Sequence, residues 1–215
     1  ADRRDANRRV LDDLDEDLIR DAKVFHFGSL TLREEPSATA TLTAAQWASE
    51  AGAVVSYDPN YRTSLWPDEE LAVETLVEPL EFVDVIKVSE EELVLLTGTD
   101  DPWHGLRSLM EMGPQLASVT FGERGCAFAT PDLFGQVDGV EVEVVDTTGC
   151  GDAFVAATLT RLLEAEKDFA DLSEAELHEV YRFANAAAAF AATSQGAIPS
   201  MPTMQEAEGL LDMGS

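Results

Sequence analysis

The sequence predicts an α/β fold with a mainly parallel central sheet, and three observations carry that expectation. Short apolar runs of strand length alternate with helix-length stretches along most of the 215 residues. Gly and Pro punctuate the joints between them. Near residue 145 an apolar run feeds directly into a Gly-rich turn and then an apolar helix, the arrangement from which α/β folds build ligand sites.

In chain order, residues up to about Arg20 read as a polar, helical surface arm. Lys23–Gly28 reads as a buried strand, Ser37–Ala51 as a helix ended by Gly52, and Ala53–Tyr57 as the next strand. Asp68–Leu80 follows Pro67 as a helix, and Phe82–Val88 is a strand. Ser89–Leu96 starts a helix with the capping box Ser89/Glu92. Trp103–Met112 is helical and Ala117–Phe121 a strand. Cys126–Thr130 and Val140–Val145 are expected to pair antiparallel. Three helices close the chain, at about Gly151–Glu166, Ser173–Ser194 and Thr203–Leu211. No internal repeat or linker divides the chain, so residues 1–215 read as one α/β domain with a polar arm over residues 1–20.

Charge narrows the function. Fourteen Lys and Arg stand against 42 Asp and Glu, a net charge of −28. A field of that sign repels phosphate backbones and argues against nucleic acid as a partner. Many acids with only three lysines suggest a surface adapted to high salt, where screening removes self-repulsion; an ordinary acidic protein is the alternative. No apolar run approaches the roughly 18 residues of a membrane helix, and no signal peptide is visible at the start. Cys126 and Cys150 make no disulfide framework and have no metal-site spacing, which fits a cytoplasmic location. His26, His104 and His178 likewise share no ligand spacing, and Trp47, Trp66 and Trp103 read as core or packing anchors.

The segment Val144-Val145-Asp146-Thr147-Thr148-Gly149-Cys150-Gly151-Asp152-Ala153-Phe154 carries the chemistry. Its glycines let backbone amides approach a ligand, and with the helix N-terminus they form an anion hole suited to phosphate. A carboxylate there would repel phosphate unless it has a task. Accepting a hydroxyl proton while the amides neutralise a transferring phosphoryl group is such a task for Asp152.

Asp146–Phe154 (DTTGCGDAF) resembles the C-terminal signature of the ribokinase-like (PfkB) carbohydrate kinases, with Cys150 where Ala is usual. A small residue that contributes mainly its amide is tolerated there, and Cys150 reads as structural more than reactive. Other segments match in family order. Asp58-Pro59-Asn60-Tyr61-Arg62 with Leu65-Trp66 resembles the DPNxR…LW segment of fructokinases and 2-keto-3-deoxygluconate kinases. Lys87-Val88-Ser89-Glu90-Glu91-Glu92 occupies the place of the Asn-x-x-Glu motif, and Thr120-Phe121-Gly122-Glu123-Arg124-Gly125 that of the T-x-G-x-x-G turn along the nucleotide phosphates. Phe183–Ala189 and Ala192–Pro199 resemble the fructokinase C-terminal pattern that helps cover the adenine.

The resemblance implies a Rossmann-like three-layer sandwich and ATP-dependent phosphorylation of a sugar, with fructose first and 2-keto-3-deoxygluconate second. Asp152 would be the base, and Gly149, Cys150 and Gly151 the amide cup. Arg62 and Asn60 would meet substrate or phosphate. Ser89, Thr120, Gly122, Gly125 and Asn185 would meet ATP. Glu92 would reach Mg²⁺ through water, and Asp146, Thr148, Ala191, Ser194, Gly196 and Ser200 would surround a monovalent cation such as K⁺. Family members also extend further at the N-terminus, with further strands, sugar-binding residues and a β lid that commonly forms a homodimer. Those segments are not recognisable here, so a non-catalytic nucleotide-binding fragment stays open beside the kinase reading.

Overall fold

Three parallel strands, β1 (Val24–Gly28), β2 (Val54–Asp58) and β3 (Val85–Ser89), organise the first half of the protein in the computed structural model, which describes residues 11 and 13–213. The described residues fall into two compact units that meet between Ala117 and Ser118, and each is taken by itself. The arm proposed for residues 1–20 lies largely outside the described residues; its last turn is the helix α1 (Glu16–Arg20), capped by Asp15.

In the first unit Val24 to Gly28 stand opposite Val54 to Asp58, and Ser56 and Tyr57 opposite Val85 and Ile86. α2 (Ser37–Ala51) packs on β1 and β2 through Ala40, Ala44, Ala45 and Ala48, small side chains that let its backbone approach the sheet. Gly52, at φ +81°, ends it. β1 is less covered than expected: it begins the strand order, and only Phe27 of its five residues is buried. α3 (Glu69–Val77) stops earlier than predicted, and a 3₁₀ turn takes Glu78–Phe82. Pro79 explains this, because it lacks an N–H and its ring conflicts with a preceding carbonyl. β3 therefore starts at Val85, later than predicted. α4 (Glu90–Thr97) carries the predicted capping box, α5 (Pro102–Met110) is capped by Asp101, and β4 (Leu116–Thr120) begins in this unit.

In the second unit the end of β4 is followed by β5 (Cys126–Ala129) and β6 (Phe134–Val137), an antiparallel pair with Cys126 opposite Val137 and Ala129 opposite Phe134. This corrects the pairing expected for Val140–Val145. Thr130 N donates to Leu133 O at 2.9 Å and Leu133 N to Thr130 Oγ1 at 3.2 Å, so the chain reverses at Pro131-Asp132. The shorter loop costs less closure entropy. Gly135 makes the pairing possible, since a Cβ there would collide with the Phe128 ring.

α6 (Cys150–Ala165) and α7 (Glu174–Ala192) pack together, followed by the single turn α8 (Ala197–Ser200) and by α9 (Met204–Met213). The core of this unit is aromatic: Phe128 stacks on Tyr181 at 4.7 Å, with Phe154 5.9 Å from the same ring. The Arg161 guanidinium lies 4.0 Å over Phe183 and bonds Glu164 and Glu208.

The tryptophans are packing residues at the surface rather than core residues, one of the two roles expected of them. Trp47 and Trp66 are half-buried, and Trp103 is exposed with the Arg107 guanidinium 5.5 Å over its ring. His26 meets Ser56, His104 meets Asp101, and His178 meets the edge of Phe128. No helix among the described residues is long and apolar enough to cross a membrane.

Candidate active site

The second unit holds the predicted anion cup. Gly149 caps α6 at φ +91°, and a Cβ there would lie 3.0 Å from Ala197 and from the Met201 side chain. Glycine is therefore required both by the left-handed backbone and by the close approach of α8. The first N–H groups of a helix have no intrahelical acceptor. Those of Gly149, Gly151 and Asp152 find no partner among the described residues, whereas Cys150 N donates to Thr147 O at 3.2 Å. The cup thus differs from the expected one by one member: Asp152 N–H is free and Cys150 N–H is engaged in the turn. The Asp152 carboxylate is exposed and has no hydrogen-bond or ionic partner among the described residues.

The Cys150 thiol is pushed up by partial burial and by the Asp146 charge. Burial outweighs the helix N-terminus, so the thiol is not activated.

Asp146 fastens the approach to the cup. Its Oδ1 accepts from Thr148 N at 2.9 Å and Thr148 Oγ1 at 2.7 Å, and its Oδ2 from Gly196 N at 2.9 Å. These donors, Gly196 first, hold its carboxyl below the usual range. Of the residues assigned to a cation, Asp146, Thr148 and Gly196 are thus brought together. Ser200 is buried and bonds Ala197 O, Ala191 is buried, and Ser194 is exposed; no hydrogen bond joins these three to Asp146.

A cavity of about 600 Å³ runs from Cys150 and Gly151 along the Gly122–Gly125 turn to Asn185 and Ala189. That volume is in the range of small-molecule sites. Thr120, Gly122 and Gly125 line it as predicted. Gly125, at φ +92°, lies backbone to backbone against Val137 O and Gly139. Val140, Val142 and Val144 give it an apolar wall. Sequence reasoning missed that wall, because alternating valines read as a strand. Asn185 also lines the cavity, yet its Nδ2 donates to Val137 O at 3.2 Å and Asp138 O at 3.1 Å. Its amide therefore holds the exit of β6.

The remaining candidates lie in the first unit, at the carboxyl ends of β2 and β3. Asn60 adopts φ +45°, and Asp58 Oδ1 accepts from its N–H at 3.1 Å. Asp58 Oδ2 accepts from Lys87 Nζ at 3.1 Å, a buried ion pair the sequence reading missed. The register of β2 on β3 held its only signal, since Tyr57 faces Ile86. Arg62 is exposed, with no side-chain partner among the described residues. Ser89 Oγ accepts from Glu92 N at 3.2 Å.

Glu92 is buried, and its oxygens accept from Tyr61 N at 2.6 Å and Ser89 N at 2.7 Å. Burial first, then Asp58, pushes its carboxyl up, while Lys87 and the two amides oppose this. A carboxylate so engaged does not suit direct Mg²⁺ ligation. Its spare lone pairs do suit a metal-bound water, as Mg²⁺ chemistry favours. Among the described residues no group of three or more His, Cys, Asp or Glu is arranged to hold a metal.

A cavity of small-molecule size that opens on helix amides and a carboxylate without partners among the described residues, in an α/β protein, has the parts a phosphoryl-transfer site needs. The chain matches the pfkB family carbohydrate kinase model over residues 2–204, and it belongs to that family. Fructokinase-2 of Solanum habrochaites is 46% identical over 206 residues, covering 94% of this chain and 62% of the relative. Fructokinase with bound ATP from Xylella fastidiosa superposes with a TM-score of 0.86 at 30% identity, covering 95% of this chain and 66% of that one. Fructokinase of Vibrio cholerae O395, solved with fructose, ADP and calcium ion, gives a TM-score of 0.80 at 34% identity over 88% of this chain and 61% of that one. The chain thus spans about three fifths of the length of the curated relatives it matches. The fold is the ribokinase-like three-layer α/β class.

Proposed function

We propose that the protein carrying this chain transfers the γ-phosphoryl group of ATP to a sugar hydroxyl, with fructose as the sugar. The observation that carries the reading is the Asp152 carboxylate, exposed and unpaired on the first turn of α6, beside the free N–H groups of Gly149, Gly151 and Asp152 itself. Asp152 accepts the hydroxyl proton as the sugar oxygen bonds to the γ-phosphorus. The bond from that phosphorus to the β,γ-bridging oxygen breaks, and ADP leaves with the electron pair. The three amides hydrogen-bond the phosphoryl oxygens as charge spreads over them. Mg²⁺, when bound, would supply charge neutralisation on the phosphates, and Glu92 is the residue that would meet its hydration shell. Arg62 and Asn60 face the sugar or its phosphate, and Arg62 offers a bidentate fork.

The donor occupies the cavity walled by Val140, Val142 and Val144, with its phosphates along Thr120, Gly122 and Gly125 and its base toward Asn185. Ser89 belongs to the same nucleotide-binding set. The Asp146 loop, with Thr148, Ala191, Ser194, Gly196 and Ser200, would hold K⁺ beside the cup.

Fructose and 2-keto-3-deoxygluconate, each assayed with Mg-ATP, test the reading. Faster turnover on fructose is expected. Preference for the keto acid makes the second sugar the substrate, and ADP binding without turnover on either makes the protein a nucleotide binder.

The net charge of −28 supports a salt-adapted protein that works on small molecules rather than nucleic acid; its two unpaired cysteines support a cytoplasmic location, and membership of the pfkB family supports a homodimer. Thermal unfolding from 0.1 to 2 M KCl tests the salt reading, with rising stability expected.

A further inference from the structure

We propose that Glu92 is a positioning residue for Arg62: its buried carboxylate grips the backbone N–H of Tyr61 and so aims the Arg62 guanidinium at the anionic group it binds. The proposal rests on the phosphoryl-transfer reading above and adds to it how the loop from Asn60 to Arg62 is held.

That loop is not one the chain adopts unaided. Asn60 sits at φ +45°, a left-handed conformation that non-glycine residues keep only when their surroundings hold them there. Two carboxylates do so on consecutive N–H groups. Asp58 Oδ1 takes Asn60 N at 3.1 Å, and Glu92 Oε1 takes Tyr61 N at 2.6 Å. Both carboxylates are themselves anchored, Asp58 by Lys87 Nζ at 3.1 Å and Glu92 by Ser89 N at 2.7 Å. Beyond the grip, Arg62 O accepts from Leu65 N at 2.8 Å, which fixes the loop on its other side. The backbone around Arg62 is pinned, while its side chain is exposed and unpaired among the described residues.

Helix capping does not account for this arrangement. The second capping box of the protein, Ser173 with Glu176, has the same spacing and also closes on the cap N–H, at 3.0 Å. Glu176 is only half-buried, and its other oxygen goes to Lys167. A capping glutamate thus has no need of full burial. Glu92 is 5% exposed and carries the desolvation cost of a buried carboxylate, and what that burial reaches is Tyr61 N, from a residue 31 positions away. Glutamine would keep one acceptor oxygen for two N–H groups, so Glu92→Gln releases one of them.

The test is a double-mutant cycle of Glu92→Gln and Arg62→Ala in the protein carrying this chain, with fructose and Mg-ATP. Each single change is expected to lower kcat/KM by about 10²-fold, an interaction with a charged group being lost in each. The double variant is expected to be no worse than Arg62→Ala, because a loop without its guanidinium has nothing left to aim. Effects that multiply in the double variant overturn the proposal. Amide hydrogen exchange at Tyr61 supplies a readout independent of turnover. At least tenfold faster exchange at Tyr61 in Glu92→Ala, which removes both acceptor oxygens, with the Ser173 amide unchanged, supports the grip, and unchanged exchange at Tyr61 overturns it. Glu92→Asp, which withdraws the carboxylate by one methylene, takes the place of Glu92→Gln if the latter does not fold. Absence of turnover in the wild type refutes the kinase reading and leaves the exchange result to decide the grip.

Discussion

Asp146 Oδ2 lies 2.9 Å from Gly196 N although the two residues are fifty positions apart. The bond ties the segment entering the amide cup to the turn that follows α7, and the other oxygen of Asp146 holds Thr148. The shape of the cup therefore depends on one carboxylate with two jobs. Asp146→Asn keeps a single acceptor oxygen and points an NH₂ group at one of the two donors. ADP affinity, measured by calorimetry, should fall about tenfold, the loss typical of a charged hydrogen-bond partner. An unchanged affinity would show that the tie is dispensable.

Asp152→Asn tests the base. The side chain is exposed and unpaired, so the substitution should leave the unfolding midpoint unchanged and ADP binding intact. Turnover should fall by about 10²–10⁴-fold, the range for loss of a general base. Activity within threefold of the wild type would remove Asp152 from the mechanism.

Gly149→Ala should be costly for two independent reasons. The backbone is at φ +91°, and the new methyl would crowd Ala197 and Met201 at 3.0 Å. Together these predict a loss of about 1–3 kcal/mol in a urea titration and weakened ADP binding. A variant as stable as the wild type would contradict the geometry of the cup.

Tyr57→Phe should stabilise. The Tyr57 hydroxyl is buried without a hydrogen-bond partner among the described residues, while its ring stacks on Phe27 at 4.7 Å. Deleting the oxygen removes an unpaid desolvation cost and keeps the stack, for a gain of about 1 kcal/mol. A fall in unfolding midpoint would reveal a partner for that hydroxyl.

The pH dependence of stability should contain two opposite contributions. Glu92 has its carboxyl raised above 4.5, chiefly by burial, so the folded state holds its proton more tightly than the unfolded chain. Its contribution is full below the ordinary glutamate value and is lost as pH rises through the raised one. Glu176 runs the other way, pushed down to about 2 by Lys167 and Ser173, so its contribution is present above 4.5 and lost as pH falls toward 2. Urea titrations from pH 2 to 7 on the wild type, Glu92→Gln and Glu176→Gln should show each variant flattening only its own limb.

Local features were legible in the sequence because their causes are local. The Ser89/Glu92 capping box, the stop at Gly52 and the start of α6 at the glycine turn each depend on residues within one helical turn. The cavity turn from Thr120 to Gly125 was readable for the same reason, from two glycines at fixed spacing. The β5–β6 hairpin was written in Pro131-Asp132, but the alternating valines that follow gave a stronger strand signal and turned out to wall a cavity.

What the sequence by itself determined is the alternation of strands and helices, the glycine cup and the carboxylate beside it, all consequences of short-range backbone chemistry. Only the tertiary structure decided which polar groups remain free. It engaged Asn185 with Val137 and Asp138, buried Glu92 onto Tyr61, and left Asp152 and Arg62 without side-chain partners among the described residues. Those outcomes depend on donors and acceptors that meet across tens of residues, and a hydrogen bond is set by distance and angle in space, which spacing along the chain does not encode.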